Sequence, residues 1–292
     1  MKMSGRNTSV IRCYGITKDP ETNNFMMVMY YAENGSLRQN LNKYFNSMNW
    51  LNKFGTLRDI ARGLSDIHEK RLIHQDFHSG NILDYCNNSL ITDLGLCKPA
   101  DEKTDKNVYG VLPYVAPEVL RGKEYTQASD IYGFGIIIYE VFNGLPPYHD
   151  MAHDEFLAVK ICHGLRPKFI IKVPQLLEDI AKQCVDADPL KRPTADYLRE
   201  KFDKWLVDVI SCSFEFDQLR DDVHNDTSEI HKQIKEADEF NKKQPTLINT
   251  LSDTELTYIT HPQAIYTSRL LNFKNLPEPK NVDDGESDYS GN

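Results

Sequence analysis

Residues 25–31 read Phe-Met-Met-Val-Met-Tyr-Tyr, an apolar run that ends at Glu33-Asn34-Gly35. A short run of large side chains closed by a turn signal predicts a strand. Behind Ser36, a suitable helix N-cap, Leu37, Leu41 and Tyr44 recur at helical spacing. Residues 50–70 carry the same period through Leu57, Ile60, Ala61, Leu64 and Ile67, which predicts a long helix. Short β segments are expected around 81–92, flanking Asn87-Asn88. Residues 98–109 hold few apolar side chains and read as a mobile loop. From Ser129 to Asn143 the chain is apolar almost all round, as a buried helix is. Further helices are expected at 154–163, 174–187 and 194–208. Beyond about 211 the pattern weakens. Residues 220–243 suit a polar amphipathic helix, and the last dozen read as disordered. No repeat of solenoid period is present.

The 292 residues are enough for one large domain and a tail. The longest apolar stretch, Ile131 to Val141, contains Glu140 and is shorter than the roughly 20 residues that span a bilayer. No membrane span and no signal peptide are expected. The six cysteines form no C-x-x-C pair, so reduced, mostly buried thiols in an intracellular, cytoplasmic protein are expected rather than a zinc or redox site. The net charge of −9 argues against nucleic acid as a partner. Its distribution is uneven. Residues 208–292 hold 17 acidic and 8 basic side chains, which leaves 26 of each in residues 1–207. A neutral folded part is thus followed by an acidic tail, partly helical or disordered.

One constellation carries chemistry. Asp76 stands five residues before Asn81, and Asp93 twelve residues after it, with the expected hairpin between. Two oxygen ligands brought together by a hairpin can hold Mg²⁺, a hard cation. A separate carboxylate just upstream can accept or orient a hydroxyl proton. That set suits phosphoryl transfer, in which positioning and charge neutralisation do most of the work. The spacing alone leaves solvated loop carboxylates as the simpler reading.

Motif context changes that balance. The segment 74–83, His-Gln-Asp-Phe-His-Ser-Gly-Asn-Ile-Leu, resembles the catalytic loop of eukaryotic protein kinases, and Asp93-Leu94-Gly95 resembles their magnesium-binding motif with Leu for Phe. Ala116-Pro117-Glu118 matches the end of the activation segment, Ser129 to Gly135 resembles the start of the central buried helix, and Leu190 to Pro193 resembles the site of the arginine that pairs with that glutamate. The resemblance covers residues 8–207 and is nearest to the tyrosine-kinase-like group. It implies an α+β, protein-kinase-like fold with a mainly helical C-lobe over 36–207, a truncated N-lobe sheet and a tail over 208–292. It also implies ATP and Mg²⁺ as cofactors and a protein substrate. Carried over by position, Asp76 is the catalytic base and Asn81 and Asp93 are the magnesium ligands. Met29, Tyr30 and Ala32 meet the adenine at gatekeeper and hinge, and Leu83 lies under the ring. His74 packs in the apolar spine beneath Leu94, Asp130 ties down the loop backbone, and Glu118 and Arg192 form a buried pair.

The chain departs from the family pattern in several places. No glycine-rich loop, no V-A-I-K lysine and no partner glutamate precede Thr8, so three strands and one helix of the N-lobe are expected to be missing and sheet faces to be exposed. Gln75 replaces the arginine that usually reads activation-loop phosphate, so that phosphorylation is expected not to be the switch here, or to work differently. His78 stands where serine/threonine kinases carry a lysine. Val111 replaces the threonine that marks serine/threonine specificity. These departures keep a second reading open beside the kinase, a pseudokinase that acts as an interaction module. A small-molecule phosphotransferase is disfavoured by the Ala116-Pro117-Glu118 segment and the Asp130 helix. In the tail, Leu247 to Leu251 and Ala264 to Tyr266 are candidate docking segments against a simpler expectation of solvated chain.

Overall fold

The computed structural model describes residues 9–85, 88–100, 107–213, 228–243 and 258–282. It begins with an antiparallel hairpin of β1 (Cys13–Lys18) and β2 (Phe25–Met29), whose turn is held by Asp19 accepting from Glu21 and Thr22. Every residue of both strands is exposed, including Ile16, Phe25 and Met27. Apolar side chains without a packed layer on either face match the exposed sheet expected from the sequence.

Ser36 then starts α1 (Leu37–Tyr44) with a capping box: its hydroxyl accepts from the Gln39 amide, and the Gln39 side chain accepts from Ser36. Asn49 and Asn52 do the same for α2 (Trp50–His68), and Thr126 and Ser129 for α4 (Gln127–Asn143). Each such cap satisfies donors that an isolated helix end would leave open. Between α2 and α4 come β3 (Leu72–Ile73), β4 (Ile82–Tyr85), β5 (Asn88–Ile91), β6 (Lys98–Pro99), β7 (Val108–Gly110) and the short α3 (Pro117–Leu120). β3 pairs with β6 and β4 with β5. The stretch 98–109, expected to be loop throughout, thus has strand at both ends, because β3 and the C-terminal segment offer it backbone partners; 101–106 lie outside the described residues. The helices α5 (Glu155–Cys162), α6 (Gln175–Cys184) and α7 (Ala195–Ser213) follow, within a few residues of their expected bounds.

The core forms around α4, which is buried from Ser129 to Phe142. Gly133 sets its depth: a Cβ there would lie 2.6 Å from the Phe77 carbonyl oxygen, so only glycine lets the helix touch the 74–83 segment. α2 packs along α7, and Trp50, Phe54, Phe142, Phe202 and Trp205 interlock at their junction. Such contacts exceed what area burial alone gives an aromatic side chain.

Two stretches of the acidic tail are packed on this body. α8 (Glu229–Lys242), inside the expected 220–243 helix, buries Ile230, Ile234 and Ala237, and Asp238 accepts from the Trp50 indole at 2.7 Å. Residues 258–282 run along the helical lobe and include β8 (Arg269–Leu271), paired antiparallel with β7. The solvated chain expected at 264–266 is instead docked; Leu247 to Leu251 and the last dozen residues lie outside, or almost wholly outside, the described residues. Of the cysteines described in full, Cys162 and Cys184 are buried, Cys97 is half-buried and Cys13 is exposed; all are free.

Lys53 is a buried cation at the α2–α8 junction. Its ammonium sits 4.1 Å from the Phe45 ring centroid and 5.4 Å from that of Phe142. Burial pushes its pKa down to about 8, against the pull of Asp238. A base whose pKa is depressed on folding penalises the folded state at low pH, and stability rises with pH from about 8 to the unfolded value of 10.5. Lys53→Met is therefore expected to gain about 2 kcal/mol at pH 7 after the lost cation–π contact is deducted. The gain should shrink above pH 8 and vanish near 10.5 in urea titrations. A Met variant no more stable than wild type at pH 7 would refute this.

Candidate active site

β3 delivers the chain into the 74–83 segment, which α4 holds from below. Asp130 Oδ2 accepts from the His74 amide at 2.8 Å and from His68 Nε2 at 2.9 Å, while Oδ1 accepts from the Gln75 amide at 3.1 Å. One buried carboxylate thereby fixes two consecutive peptide units. Gln75 takes φ +70°, a left-handed conformation that a side chain adopts only when its surroundings compel it. His74 Nε2–H donates to the Thr92 carbonyl at 2.9 Å, which leaves Nδ1 buried without a partner. Burial pushes the His74 pKa down although Asp130 pulls it up, so the ring is neutral and packs edge-on against Phe77.

The bend aims Asp76 at the mouth of the segment, where it is 5% exposed. Asn81 Nδ2 donates to its carbonyl at 2.9 Å and to Oδ2 at 3.3 Å. On the other side stands His78. Its Nδ1 accepts from the Gly80 amide at 3.0 Å, so the ring proton lies on Nε2, 3.5 Å from Asp76 Oδ1. At that distance His78 is an electrostatic neighbour rather than a close hydrogen-bond donor, and Oδ1 keeps an open lone pair. Burial raises the Asp76 pKa, but His78, His74 and the Ser268 hydroxyl outweigh it, and the carboxyl is held below its ordinary 3.8. The result is a buried, ionised carboxylate with one oxygen anchored and one available.

The β4–β5 hairpin brings Asn81 to Asp93. Ile82 pairs with Ile91, and the Thr92 amide donates to the Asn81 carbonyl at 2.9 Å. Asp93 follows in a left-handed conformation, φ +55°, with its carboxylate exposed. Because the Asn81 amide nitrogen is occupied by Asp76, its Oδ1 is the free end. An amide oxygen and a carboxylate are the oxygen donors that magnesium takes, and neither needs a third acidic ligand, since waters complete the shell. Among the described residues no group of three or more His, Cys, Asp or Glu forms a metal cluster. Cys97, beside Asp93, is no competing nucleophile: burial, with Asp130 and Asp93, pushes its thiol up to about 12.

Met29, at the end of β2, is 41% exposed, and Ala32 and Leu83 are half-buried, so none of the three is spent in the core. Tyr30 donates its amide to the Arg12 carbonyl, and the Ala32 carbonyl accepts from Gly35. Ser36 and Leu83 form an isolated bridge that sets the 30–36 connection against β4. Farther from the mouth, the Arg192 guanidinium meets the Glu118 carboxylate in two parallel bonds of 2.7 and 2.8 Å, both side chains buried. Val111 is buried and offers Asp76 no hydrogen bond.

A second cluster escaped the sequence reading. Glu140 is fully enclosed in α4 and accepts from Ser79 at 2.8 Å and from the Tyr114 hydroxyl at 2.6 Å, with Arg38 Nε 3.8 Å away. Burial raises the Glu140 pKa against Arg38 and both hydroxyls. Its signal was present: one carboxylate in an otherwise apolar helix must find partners or neutralise. The cluster clamps Ser79, inside the 74–83 segment, to the chain at Tyr114 and to α1 at Arg38.

Comparison with known proteins gives the family. The family model for protein tyrosine and serine/threonine kinases matches residues 1–202. A probable serine/threonine-protein kinase of Dictyostelium discoideum is 33% identical over 187 residues, covering 61% of this chain and 11% of the relative. The probable serine/threonine-protein kinase roco5 of the same organism is 32% identical over 209 residues, 64% of this chain and 7% of the relative. The tyrosine-protein kinase SPK-1 of Girardia tigrina is 28% identical over 221 residues, 70% of this chain and 44% of the relative. The chain thus spans less than half the length of each. With a family model matching more than half of its residues, the chain belongs to the protein tyrosine and serine/threonine kinase family.

Proposed function

We propose that this chain carries the acceptor and magnesium half of an ATP-dependent protein kinase of the tyrosine-kinase-like group, with residues 1–207 as the kinase domain and 208–292 as its tail. One observation supports this above the others: the Asn81 amide binds Asp76 through nitrogen, which leaves its oxygen free, while the Asn81 carbonyl is bonded to Thr92, the residue before Asp93. Asp76 Oδ1 accepts the proton of a protein hydroxyl and aligns its oxygen for attack. Asn81 Oδ1 and the Asp93 carboxylate hold Mg²⁺, which when bound neutralises charge on the nucleotide phosphates. Met29, Tyr30 and Ala32 line the adenine side, with Leu83 beneath it. His74, Asp130, Glu118 and Arg192 hold the frame. A cytoplasmic, intracellular setting goes with this reading, since ATP and magnesium are supplied there. Among the described residues no helix is long and apolar enough to cross a membrane.

The test uses the intact protein with magnesium and γ-labelled ATP. Label in casein or in the protein itself, lost on chelation of magnesium, is the expected result. The exposed β1–β2 sheet favours a second reading, an interaction module without transfer. Thermal stability indifferent to nucleotide, with no label incorporated, would establish that reading and remove the first.

A further inference from the structure

The tail segment that docks on the helical lobe does so across the acceptor side of the candidate site. β8 pairs with β7 in the register Gly110–Arg269, Tyr109–Leu270 and Val108–Leu271. β7 lies beside the carboxylate: a Cβ on Gly110 would be 3.8 Å from Asp76 Oδ1. Ser268, one residue before Arg269, continues that register opposite Val111 and so falls next to Gly110, on the side of the strand pair where Asp76 Oδ1 lies. Flanking contacts hold the strand on both sides. Arg38 donates to the Tyr266 carbonyl at 2.8 Å, the Tyr266 hydroxyl donates to the Pro147 carbonyl at 2.9 Å, and Arg269 donates to the His153 carbonyl. His153 Nδ1 lies 2.9 Å from the Ile265 carbonyl oxygen and 3.1 Å from its amide nitrogen, within reach of one bond to either, and the ring packs edge-on against Tyr266 at 4.8 Å. Leu271 and Leu276 are buried. An extended segment that adds to a strand edge through its backbone, with side chains in pockets, is how peptides are bound by β-augmentation.

We propose that residues 261–273 are a substrate in cis, with Ser268 as the acceptor hydroxyl, so that the tail occupies the site meant for external proteins and is itself phosphorylated there. This rests on the kinase reading above. In the step, the Ser268 oxygen bonds to the terminal phosphorus of a nucleoside triphosphate as the bond from that phosphorus to the bridging oxygen breaks. The Ser268 proton passes to Asp76 Oδ1 and then to solvent, and the nucleoside diphosphate leaves. The added dianion lies against the Asp76 carboxylate, and like-charge repulsion then favours release of the strand. Occupation of the site by uncharged Ser268 and its opening after transfer are two consequences of one position.

The experiment maps phosphate in the intact protein given magnesium, ATP and casein, alongside Ser268→Ala and Leu271→Asp, the latter chosen to unseat β8. Amide hydrogen exchange without nucleotide reads occupancy independently. Expected are protected amides in 108–110 and 269–271 of the wild type, lost in Leu271→Asp. Label at Ser268 should form at a rate unchanged by dilution, because a tethered acceptor meets the site at an effective concentration on the order of millimolar. Leu271→Asp should phosphorylate casein about tenfold faster than wild type at sub-saturating casein, as a tethered competitor is removed. Casein labelled while Ser268 stays blank, or Ser268 labelling that scales with protein concentration, overturns this proposal and leaves the kinase reading intact. No label on either acceptor sinks both readings. Unprotected 269–271 amides in the wild type overturn the cis occupancy whatever the activity.

Discussion

Asp76→Asn is expected to lower the rate of phosphate transfer by about 100- to 10,000-fold, the range in which a positioned general base acts. The change is nearly isosteric, and the anchoring bond survives, because the new amide oxygen can still accept from Asn81 Nδ2. The other end becomes an NH₂ group facing His78 Nε2–H, 3.5 Å from the position of Oδ1. Two donors then meet where an acceptor stood, and that end of the side chain offers no lone pair to a substrate hydroxyl. Nucleotide affinity should change little, since Asn81 and Asp93 are untouched. A pH signature accompanies the loss. The folded pKa of Asp76 lies below its unfolded 3.8, so its stabilisation is complete above 3.8 and disappears as the pH falls through the folded value. The variant should therefore show a shallower acid limb in unfolding experiments than wild type. A variant that keeps more than about a tenth of the wild-type kcat would show that Asp76 is not the base.

Much of this arrangement was legible in the sequence because it depends on local periodicity and on motif spacing. Ser36 as a cap, the apolar rhythm of 50–70 and the all-round apolarity of 129–143 each specify an element within a few residues. Asp76, Asn81 and Asp93 are joined by a short hairpin, so their spacing nearly dictates their meeting. Other features carry no such local trace. The left-handed Gln75 has an ordinary side chain, and its conformation is imposed by Asp130, 55 positions away. Arg38 donates to Tyr266 across 228 positions, through a carbonyl that every residue possesses. The docking of 258–282 uses mainly such backbone acceptors, so an acidic, weakly periodic stretch reads as solvated until the lobe that receives it is in view. Glu140 is an intermediate case: its position in an apolar helix demanded partners, but nothing in the spacing of Arg38, Ser79 and Tyr114 announced them.

Removing the guanidinium of Arg192 is expected to cost about 3–5 kcal/mol, the penalty of leaving a buried carboxylate unpaired. Arg192→Met keeps most of the side-chain volume while stripping Glu118 of both its bonds, at 2.7 and 2.8 Å. It also strands two backbone acceptors, Ala128 at 2.9 Å and Asp186 at 2.9 Å, and ends the stacking on the Tyr132 ring. The thermal midpoint should fall by on the order of 10 °C for a domain of this size. Glu118→Met alone buries an unpaired guanidinium but leaves those backbone bonds in place, so it should cost less than Arg192→Met. The double variant separates the contributions. With no charge left to desolvate it should be more stable than Arg192→Met by about 1–3 kcal/mol, yet less stable than wild type because the Ala128 and Asp186 carbonyls stay unsatisfied. Urea unfolding of the four proteins measures the cycle directly. Strict additivity of the two single effects would mean that the pair contributes no coupling, and a loss under about 1 kcal/mol for Arg192→Met would mean that water replaces the guanidinium.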